Sequence, residues 1–415
     1  MMNARKNLFC LALLCLMLTG IIFPPTPLFS EEAQKSRIES DSLSSRRVLS
    51  ADSLLRQRDA DGKKKKEERL EVGGVLMWDY DQFNGVHMGR VPESYQVGNE
   101  TELRRARIDL KSKIDKDWEA ELQVNFEDED SGPEVGDAFI AFSGWDDMIL
   151  KVGQTKEPFG LEELTSSSNI TFIERSMATA AFAPGHHPGL GLSGDRKSFT
   201  WAFGFYEADD RENKRDTYAL TGRFTFTPWE YKKRVLHFGI SGSERDFGGE
   251  IYRIEERAGV HTAGEIIRSI EIQTDDVRLL GVEWAWIMGA FSLQAEHMTA
   301  KIKAADGEDA TYTGYYIQGS YFLTGEYRPY KNGTFRQVKP DTKYGALELV
   351  SRFSYLDVED NHRGVGAENL ALGVNYYPGK RVRLMANYIK TTLKDGVSGE
   401  EGRGEAISLR MQYEL

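Results

Sequence analysis

The sequence predicts an all-β protein, a transmembrane antiparallel β-barrel of about 16 strands whose third extracellular connection folds inward. Three observations favour this fold class. Charged and apolar residues alternate along many segments, these segments number sixteen, and the connections between them alternate between long and short. The chain of 415 residues is long enough for one large barrel, and its net charge of −12 gives no indication of a nucleic-acid partner.

The first 30 residues have the pattern of a secretory signal peptide. Arg5 and Lys6 precede an apolar run at residues 8–23. A retained membrane anchor is the alternative, although the run only reaches the length of the shortest spanning helices. Both cysteines, Cys10 and Cys15, lie in this segment, so we expect the mature chain to hold neither a disulfide nor a thiolate metal site.

Residues 31–68 form a polar leader that we expect to be disordered in the periplasm. The stretch is rich in serine and charged residues and has too few apolar residues to bury a core. A short trimerising helix in its middle is the alternative, but the apolar spacing there is irregular. The barrel itself is predicted over residues 69–415.

The predicted strands are short segments bounded by turn residues. They are residues 69–82, 101–114, 117–127, 134–143, 147–154, 189–194, 197–207, 215–227, 234–245, 274–287, 289–303, 311–325, 342–358, 368–377, 380–391 and 404–414. An even number is what a single-chain outer-membrane barrel requires. If both termini lie in the periplasm, six of the seven periplasmic connections are short turns, and only residues 326–341 break the pattern.

The segment "RRARIDLKSK" at residues 104–113 illustrates the alternation. Arg105, Arg107, Asp109, Lys111 and Lys113 share one face, and the intervening residues are mostly apolar. In a soluble sheet the apolar face would meet a core, whereas in an outer-membrane barrel it meets lipid and the charged face lines a pore. By the same parity Arg104 faces lipid unless a β-bulge shifts the register.

Charges of both signs are predicted to face the lumen. The cations are Arg105, Arg107, Lys111, Lys113, Lys151, Arg223, Arg352, Arg381, Arg383 and Arg410. The acids are Asp109, Glu119, Glu121, Glu127, Asp137, Glu283, Glu296 and Glu348. Rings of Arg or Lys suit anion pores, but these two sets are close to balanced, so the count alone does not decide ion selectivity.

The third extracellular connection, residues 155–188, is too long for a simple hairpin. Loops of this length without regular structure of their own are usually functional. A barrel of sixteen strands encloses a water-filled channel, which a loop of this length can narrow by folding inward.

Five blocks of the sequence resemble the phosphate-selective porins O and P. They are "LRRARIDL" (103–110), "GQTKEPFGLEELTSSSNITFIERS" (153–176), "FLTGEYRPYK" (322–331), "GALELVSRFSYLD" (345–357) and "LGVNYYPGKRVRLMANYI" (372–389). The resemblance implies a trimeric sixteen-stranded channel in which an arginine ladder draws anions to a constriction formed by the third loop. "GALELV" departs from the family's usual aromatic residue after Gly-Ala.

The resemblance also implies roles for individual residues. Arg104 and Arg105 match the paired arginines of the family's pore, Asp137 matches an acid of the fourth strand, and Lys156, Glu174 and Arg175 lie in the matching third loop. Glu174 and Arg175 could equally pair with each other to brace that loop. The candidate anion-binding residues are therefore Arg104, Arg105, Arg107, Lys111, Lys113, Lys156, Arg175 and Asp137.

We expect a porin of a bacterial-type outer membrane that lets small hydrophilic solutes, especially anions such as phosphate, diffuse passively. The alternatives are a general or cation-tolerant porin, and a structural or adhesive barrel without conductance. We expect membrane lipid and two further copies of the chain as partners. No catalysis, cofactor or metal is expected, because no nucleophile motif accompanies the histidines and the adjacent His186 and His187 point apart on an extended chain.

Overall fold

A computed structural model describes residues 69–88, 97–126, 132–208, 217–361, 363–396 and 398–415. The predicted signal peptide and leader, residues 1–68, lie outside these ranges, as does Glu127. Sixteen antiparallel strands close into a barrel in which each strand pairs with its neighbours in the chain and the last pairs with the first. This confirms the predicted fold class and strand number. Within the described ranges, no helix has the length and apolarity needed to cross a membrane.

The first eight barrel strands include several short ones. They are β1 (Arg69–Asn84), β2 (Val97–Lys113), β3 (Trp118–Asn125), β4 (Glu134–Trp145), β5 (Met148–Lys156), β6 (His186–Arg196), β7 (Phe199–Glu207) and β8 (Tyr218–Tyr231). A short 3₁₀ turn, Gly85–Met88, follows β1.

The other eight barrel strands are mostly longer. They are β9 (Arg234–Tyr252), β12 (Ile272–Met288), β13 (Phe291–Ala304), β14 (Ala310–Phe322), β17 (Ala346–Asp357), β18 (Val365–Tyr377), β19 (Val382–Asp395) and β20 (Glu401–Glu414). Two small hairpins lie in the connections, namely β10 (Glu255–Glu256) with β11 (Ile267–Arg268), and β15 (Tyr330–Lys331) with β16 (Thr334–Phe335).

The strands alternate between a lipid-facing side and an inner side, as the sequence predicts. On β20, Leu409 and Met411 are exposed on the outside, whereas Arg410 and Gln412 between them are buried inside. On β1, exposed Trp78 lies between buried Met77 and Asp79. A barrel places apolar side chains against lipid and polar ones inside, so large exposed apolar residues are its normal outer surface.

Three connections fill much of the interior. L3 (residues 157–185) follows β5, L5 (residues 253–271) follows β9, and the inward turn (residues 323–345) follows β14 at the opposite end of the barrel. Apolar residues of L3 and L5 pack with the inner faces of β12, β13, β14, β17 and β18 in one buried cluster. The inward turn is the long periplasmic connection that broke the predicted pattern of short turns. The other six connections at that end are two to four residues long.

Candidate functional site

L3 crosses the barrel interior and carries two short helices, α1 (Leu161–Leu164) and α2 (Met177–Phe182). Its apolar residues, including Phe159, Leu161 and Phe172, are almost completely buried. The helices are too short to satisfy most of the backbone of L3, so the remaining N–H and C=O groups need partners from the barrel wall. Those partners determine where the channel runs.

Three arginines of the wall donate hydrogen bonds to the carbonyl groups of L3. Arg383 donates to the oxygens of Ile170 and Thr171 at 2.7 and 3.1 Å. Arg352 donates to the oxygen of Glu174 at 2.9 Å, and Arg410 to that of Ile173 at 2.5 Å. These arginines, predicted as cations of the pore, therefore anchor L3 instead of facing open solvent.

Carboxylate and amide oxygens of the wall accept from the N–H groups of L3. The Glu296 carboxylate accepts from the backbone N–H groups of Leu161 and Glu162, both at 2.7 Å, and Asn387 Oδ1 accepts from Ile173 at 2.9 Å. Gly160, just before α1, has φ +72° and an added Cβ would lie 3.0 Å from Glu296 Oε2, so glycine suits both the backbone and the space. The wall thus supplies acceptors for N–H groups of L3 as well as donors for its carbonyl groups.

A bulge brings Arg104 into the interior. Between Met77 and Asp79 of β1 the register with β2 shifts by one residue, so the side chains of Arg104 and Arg105 both point inward. Arg104 Nε donates to Glu174 Oε1 at 2.9 Å. The β-bulge that the sequence left open is therefore present, and Arg104 faces the interior and not lipid.

Glu174 is held between two arginines. Besides Arg104 it contacts Arg410, whose guanidinium also binds Asp79 at 2.6 Å. Burial alone would raise the pKa of the Glu174 carboxyl, but Arg104 and Arg410 outweigh it and keep that pKa well below its ordinary value. Glu174 does brace the loop, but it does so through Arg104 and Arg410 of the wall, whereas Arg175 pairs with Glu163.

A cationic cluster lies where L3 meets β2 and β5. Lys156 Nζ and Arg175 Nε contact the single carboxylate of Glu163 at 2.5 and 3.0 Å, and Arg105 lies within electrostatic range of Lys156. Burial raises the pKa of Glu163, but Arg175 and Lys156 outweigh it and lower the net value. In this cluster of Arg105, Lys156 and Arg175, two of the cations share one buried carboxylate.

An open cavity of about 720 Å³ runs beside this cluster, between L3 and the wall formed by β2 to β8. Within the described ranges, eight cationic side chains line it, namely Arg105, Arg107, Lys111, Lys151, Lys156, Arg175, Arg223 and Arg336. Five acidic side chains of the same ranges do so, namely Asp109, Glu121, Glu134, Asp137 and Asp195. Two carboxylates that neutralise lining cations, Glu163 and Glu283, are buried behind them. Cations therefore outnumber acids among the described residues that line the cavity, although the two buried carboxylates offset part of that excess.

The remaining predicted residues are placed along the same wall. Arg107 Nε lies 3.3 Å from Asp109, and Lys111 Nζ lies 2.8 Å from Glu121. Lys113 ends β2 opposite Glu119 and does not line the cavity.

Asp137 lines the cavity on β4. Its carboxylate lies 3.8 Å from the Nε2 atom of His186, the first residue of β6. Among the described residues, no group of three or more His, Cys, Asp or Glu side chains is arranged to hold a metal ion.

Some site residues were not predicted. Glu163 appeared in the sequence only as one of two adjacent acids in "LEEL", and nothing in that pattern indicates a shared partner for Lys156 and Arg175. Arg336 reaches the cavity from the inward turn, whose unusual length was the available signal. L5 contributes His261, whose Nδ1 lies 2.9 Å from Glu102, and Thr262, which donates to Asp81 at 2.8 Å.

Comparison with known proteins agrees with this architecture. The family model "Phosphate-selective porin O and P" matches residues 70–415. Porin O of Pseudomonas aeruginosa is 30% identical over 394 residues, covering 84% of this chain and 89% of that protein. These are porins, which are channels rather than enzymes.

Solved structures share the fold at low sequence identity. The outer membrane channel DcaP of Acinetobacter baumannii has a TM-score of 0.54 at 11% identity, covering 85% of this chain and 99% of that one. An anion-selective porin from Comamonas acidovorans has a TM-score of 0.53 at 12% identity, covering 84% and 100%.

Proposed function

We propose that this chain, which belongs to the phosphate-selective porin O and P family, forms a channel that prefers small anions such as phosphate. The family places it in the outer membrane as a porin. The anion preference rests on one observation, the sharing of the single buried carboxylate of Glu163 by two cations, Lys156 and Arg175, at the edge of the cavity.

The cluster can attract an anion without trapping it. A narrow lumen walled by protein focuses the electric field and raises the local concentration of counter-ions. Arg side chains can offer two parallel hydrogen bonds to a phosphate. Asp137, on the same cavity wall, supplies an opposing charge, and conduction requires each binding step to be weak enough for release.

The reversal potential in a planar bilayer under a KCl gradient tests this proposal. We expect a potential toward chloride and a current that added phosphate reduces. Replacing Arg105 and Arg107 by Ala should weaken both effects. The matched control is the replacement of Lys301 and Lys390 by Ala, because both are exposed on strands outside the cavity lining.

Other outcomes would favour the alternatives. A potential near zero or toward potassium would indicate that the acids of the wall dominate, as in a general or cation-tolerant porin. An absence of current from correctly folded protein would favour a structural or adhesive barrel.

We also propose that three copies associate through the wall of β3 to β6. β3 and β5 have 8 and 9 residues, near or below the ~9–11 that a tilted transmembrane strand uses. Their outer faces expose aliphatic residues such as Leu122 and Val152. Val152→Arg should convert a complex of three chains to single chains in detergent, whereas Val282→Arg, on the lipid-facing side of β12, should not. Equal behaviour of the two variants would contradict this interface.

A further inference from the structure

The seven connections at the periplasmic end, six short turns and the inward turn, carry charge unevenly around the barrel. The turns at residues 114–117, 146–147 and 197–198, together with the last two residues of β6, hold five acids and three cations, namely Asp115, Asp117, Asp146, Asp147, Asp195, Lys116, Arg196 and Lys197. The connections after β8, β14 and β18, with the first residue of β9, carry nine cations, of which all but the half-buried Lys233 are exposed, namely Lys232, Lys233, Arg234, Lys331, Arg336, Lys339, Lys343, Lys380 and Arg381. Glu230 and Asp341 are the exposed acids of those turns within the described ranges.

The cations on the outer side of this basic sector stand beside exposed aromatic rings. Lys232 Nζ lies 5.1 Å from the centre of the Tyr231 ring, and Lys343 Nζ lies 5.0 Å from that of Tyr344. Tyr231 and Tyr344 are 68% and 76% exposed, so neither ring is covered by the barrel's own chain. Neither lysine lines the channel cavity, so attraction of a permeating anion does not explain their position.

Contacts between the turns join them into one surface. Lys233 Nζ lies 5.3 Å from the ring centre of Tyr327, donates to the oxygen of Gly325 at 3.2 Å and approaches Asp341 at 3.8 Å. Arg234 pairs in the sheet with Met288, which is exposed on the outer face. We call this surface the basic rim. It consists of Lys232, Lys233, Arg234 and Lys343 together with Tyr231, Tyr327 and Tyr344.

We infer that the basic rim binds the phosphate headgroup of an anionic phospholipid in the periplasmic leaflet. Short turns lie on the periplasmic side of such barrels, so the rim stands at the headgroup level of that leaflet. Tyrosine is enriched at this level because its ring is apolar and its hydroxyl is polar, and clustered Lys and Arg attract anionic lipids. Below the cations, exposed Trp229 and Leu323 offer an apolar surface for acyl chains.

The occupant is a lipid rather than a soluble anion for a structural reason. The rim's cations are mounted on the outer edge of the wall, with apolar residues directly beneath them, and not around a concave pocket. A free phosphate would meet few converging donors there, whereas a lipid headgroup is held in place by its chains.

Native mass spectrometry of the purified full chain in detergent, titrated with dioleoyl phosphatidylglycerol or phosphatidylcholine, tests the inference. We expect the anionic lipid to bind more tightly than the zwitterionic lipid. Replacing Lys232, Lys233 and Lys343 by Gln should weaken phosphatidylglycerol binding about tenfold. The matched control replaces Lys116, Arg196 and Lys197 by Gln, which removes the same charge from the acidic sector and should leave binding unchanged.

Three results would overturn the inference. They are equal binding of the two lipids, an equal loss in the control variant, and displacement of phosphatidylglycerol by millimolar inorganic phosphate, which would mean that the rim takes free phosphate. Heat-modifiable migration of both variants on a denaturing gel establishes that the barrel is folded before binding is compared. Unchanged reversal potentials separate this surface from the channel.

Discussion

The arginines of β17, β19 and β20 point into the barrel just as those of β2 do, but the two groups face different surroundings. Arg352, Arg383 and Arg410 meet the carbonyl groups of L3, whereas Arg105 and Arg107 line the open cavity. The alternation of a strand determines which side chains point inward. Whether an inward side chain holds a loop or faces solute depends on which wall the loop covers.

The largest effect should follow from Arg410→Ala on the covered wall, which is the part of the barrel wall that L3 packs against. The substitution leaves Asp79 without its cation and removes one of the two arginines that hold Glu174, which costs about 3–5 kcal/mol when one partner of a buried pair is removed. We expect the heat-modifiable gel transition to shift to lower temperature and the single-channel conductance to rise as L3 loosens. Conductance recordings and gel migration after graded heating measure both.

Lys151→Ala on the open wall is the matched control. Lys151 lines the cavity and lies 4.1 Å from the ring centre of Phe139, and no ion pair joins it to an acid within the described part of the chain. Its loss should hardly change the transition temperature. Equal destabilisation by the two substitutions would remove the distinction between the walls.

A smaller effect concerns L5, which also covers the arginine-rich wall. Burial raises the pKa of Glu256 to about 7, with Arg257 opposing the rise. Between its ordinary pKa of about 4.3 and 7, this group is ionised in the unfolded loop but protonated in the folded one. The stability of L5 should therefore fall as pH rises through this window, by about 1–3 kcal/mol, with little further loss above it.

Hydrogen exchange of the L5 amides at pH 5 and pH 8, corrected for intrinsic rates, measures this dependence. Glu256→Gln should flatten it, because the side chain can no longer ionise. Glu265→Gln is the control, since Glu265 lies in the same loop and pairs with Arg257. Persistence of the full pH dependence in Glu256→Gln would assign it to another group.

Local pattern predicted the open wall better than the covered one. The inward direction of Arg105, Arg107 and Lys111 follows from a period of two within β2. The bulge that turns Arg104 inward depends on pairing with β1, so residues of β2 alone do not reveal it. The barrel and its strand number were predictable because many short segments repeat the same alternation.

The anchors of L3 were not predictable because their partners are remote in the chain. Arg383 and Ile170 are 213 residues apart, and Glu296 and Leu161 are 135 apart. Sequence parity placed these residues inside, but it carried no information on which loop carbonyls and amides they would meet. The length of residues 326–341 did indicate an unusual connection, although not that Arg336 would reach the cavity.

The smallest effects should come from single charges at the open wall. Asp137 lines the cavity, whereas Lys113 lies at the end of β2 outside it. An exposed charge a few ångströms from a passing ion contributes about 0.5 kcal/mol after screening, so Asp137→Asn should raise the anion-to-cation permeability ratio about twofold. Lys113→Ala should leave the ratio unchanged, because counter-ions screen a charge that lies at the end of β2, outside the cavity. Reversal potentials at two ionic strengths measure both variants. A shift from Lys113→Ala as large as that from Asp137→Asn would mean that selectivity is set by the total charge of the barrel mouth rather than by the wall that L3 leaves open.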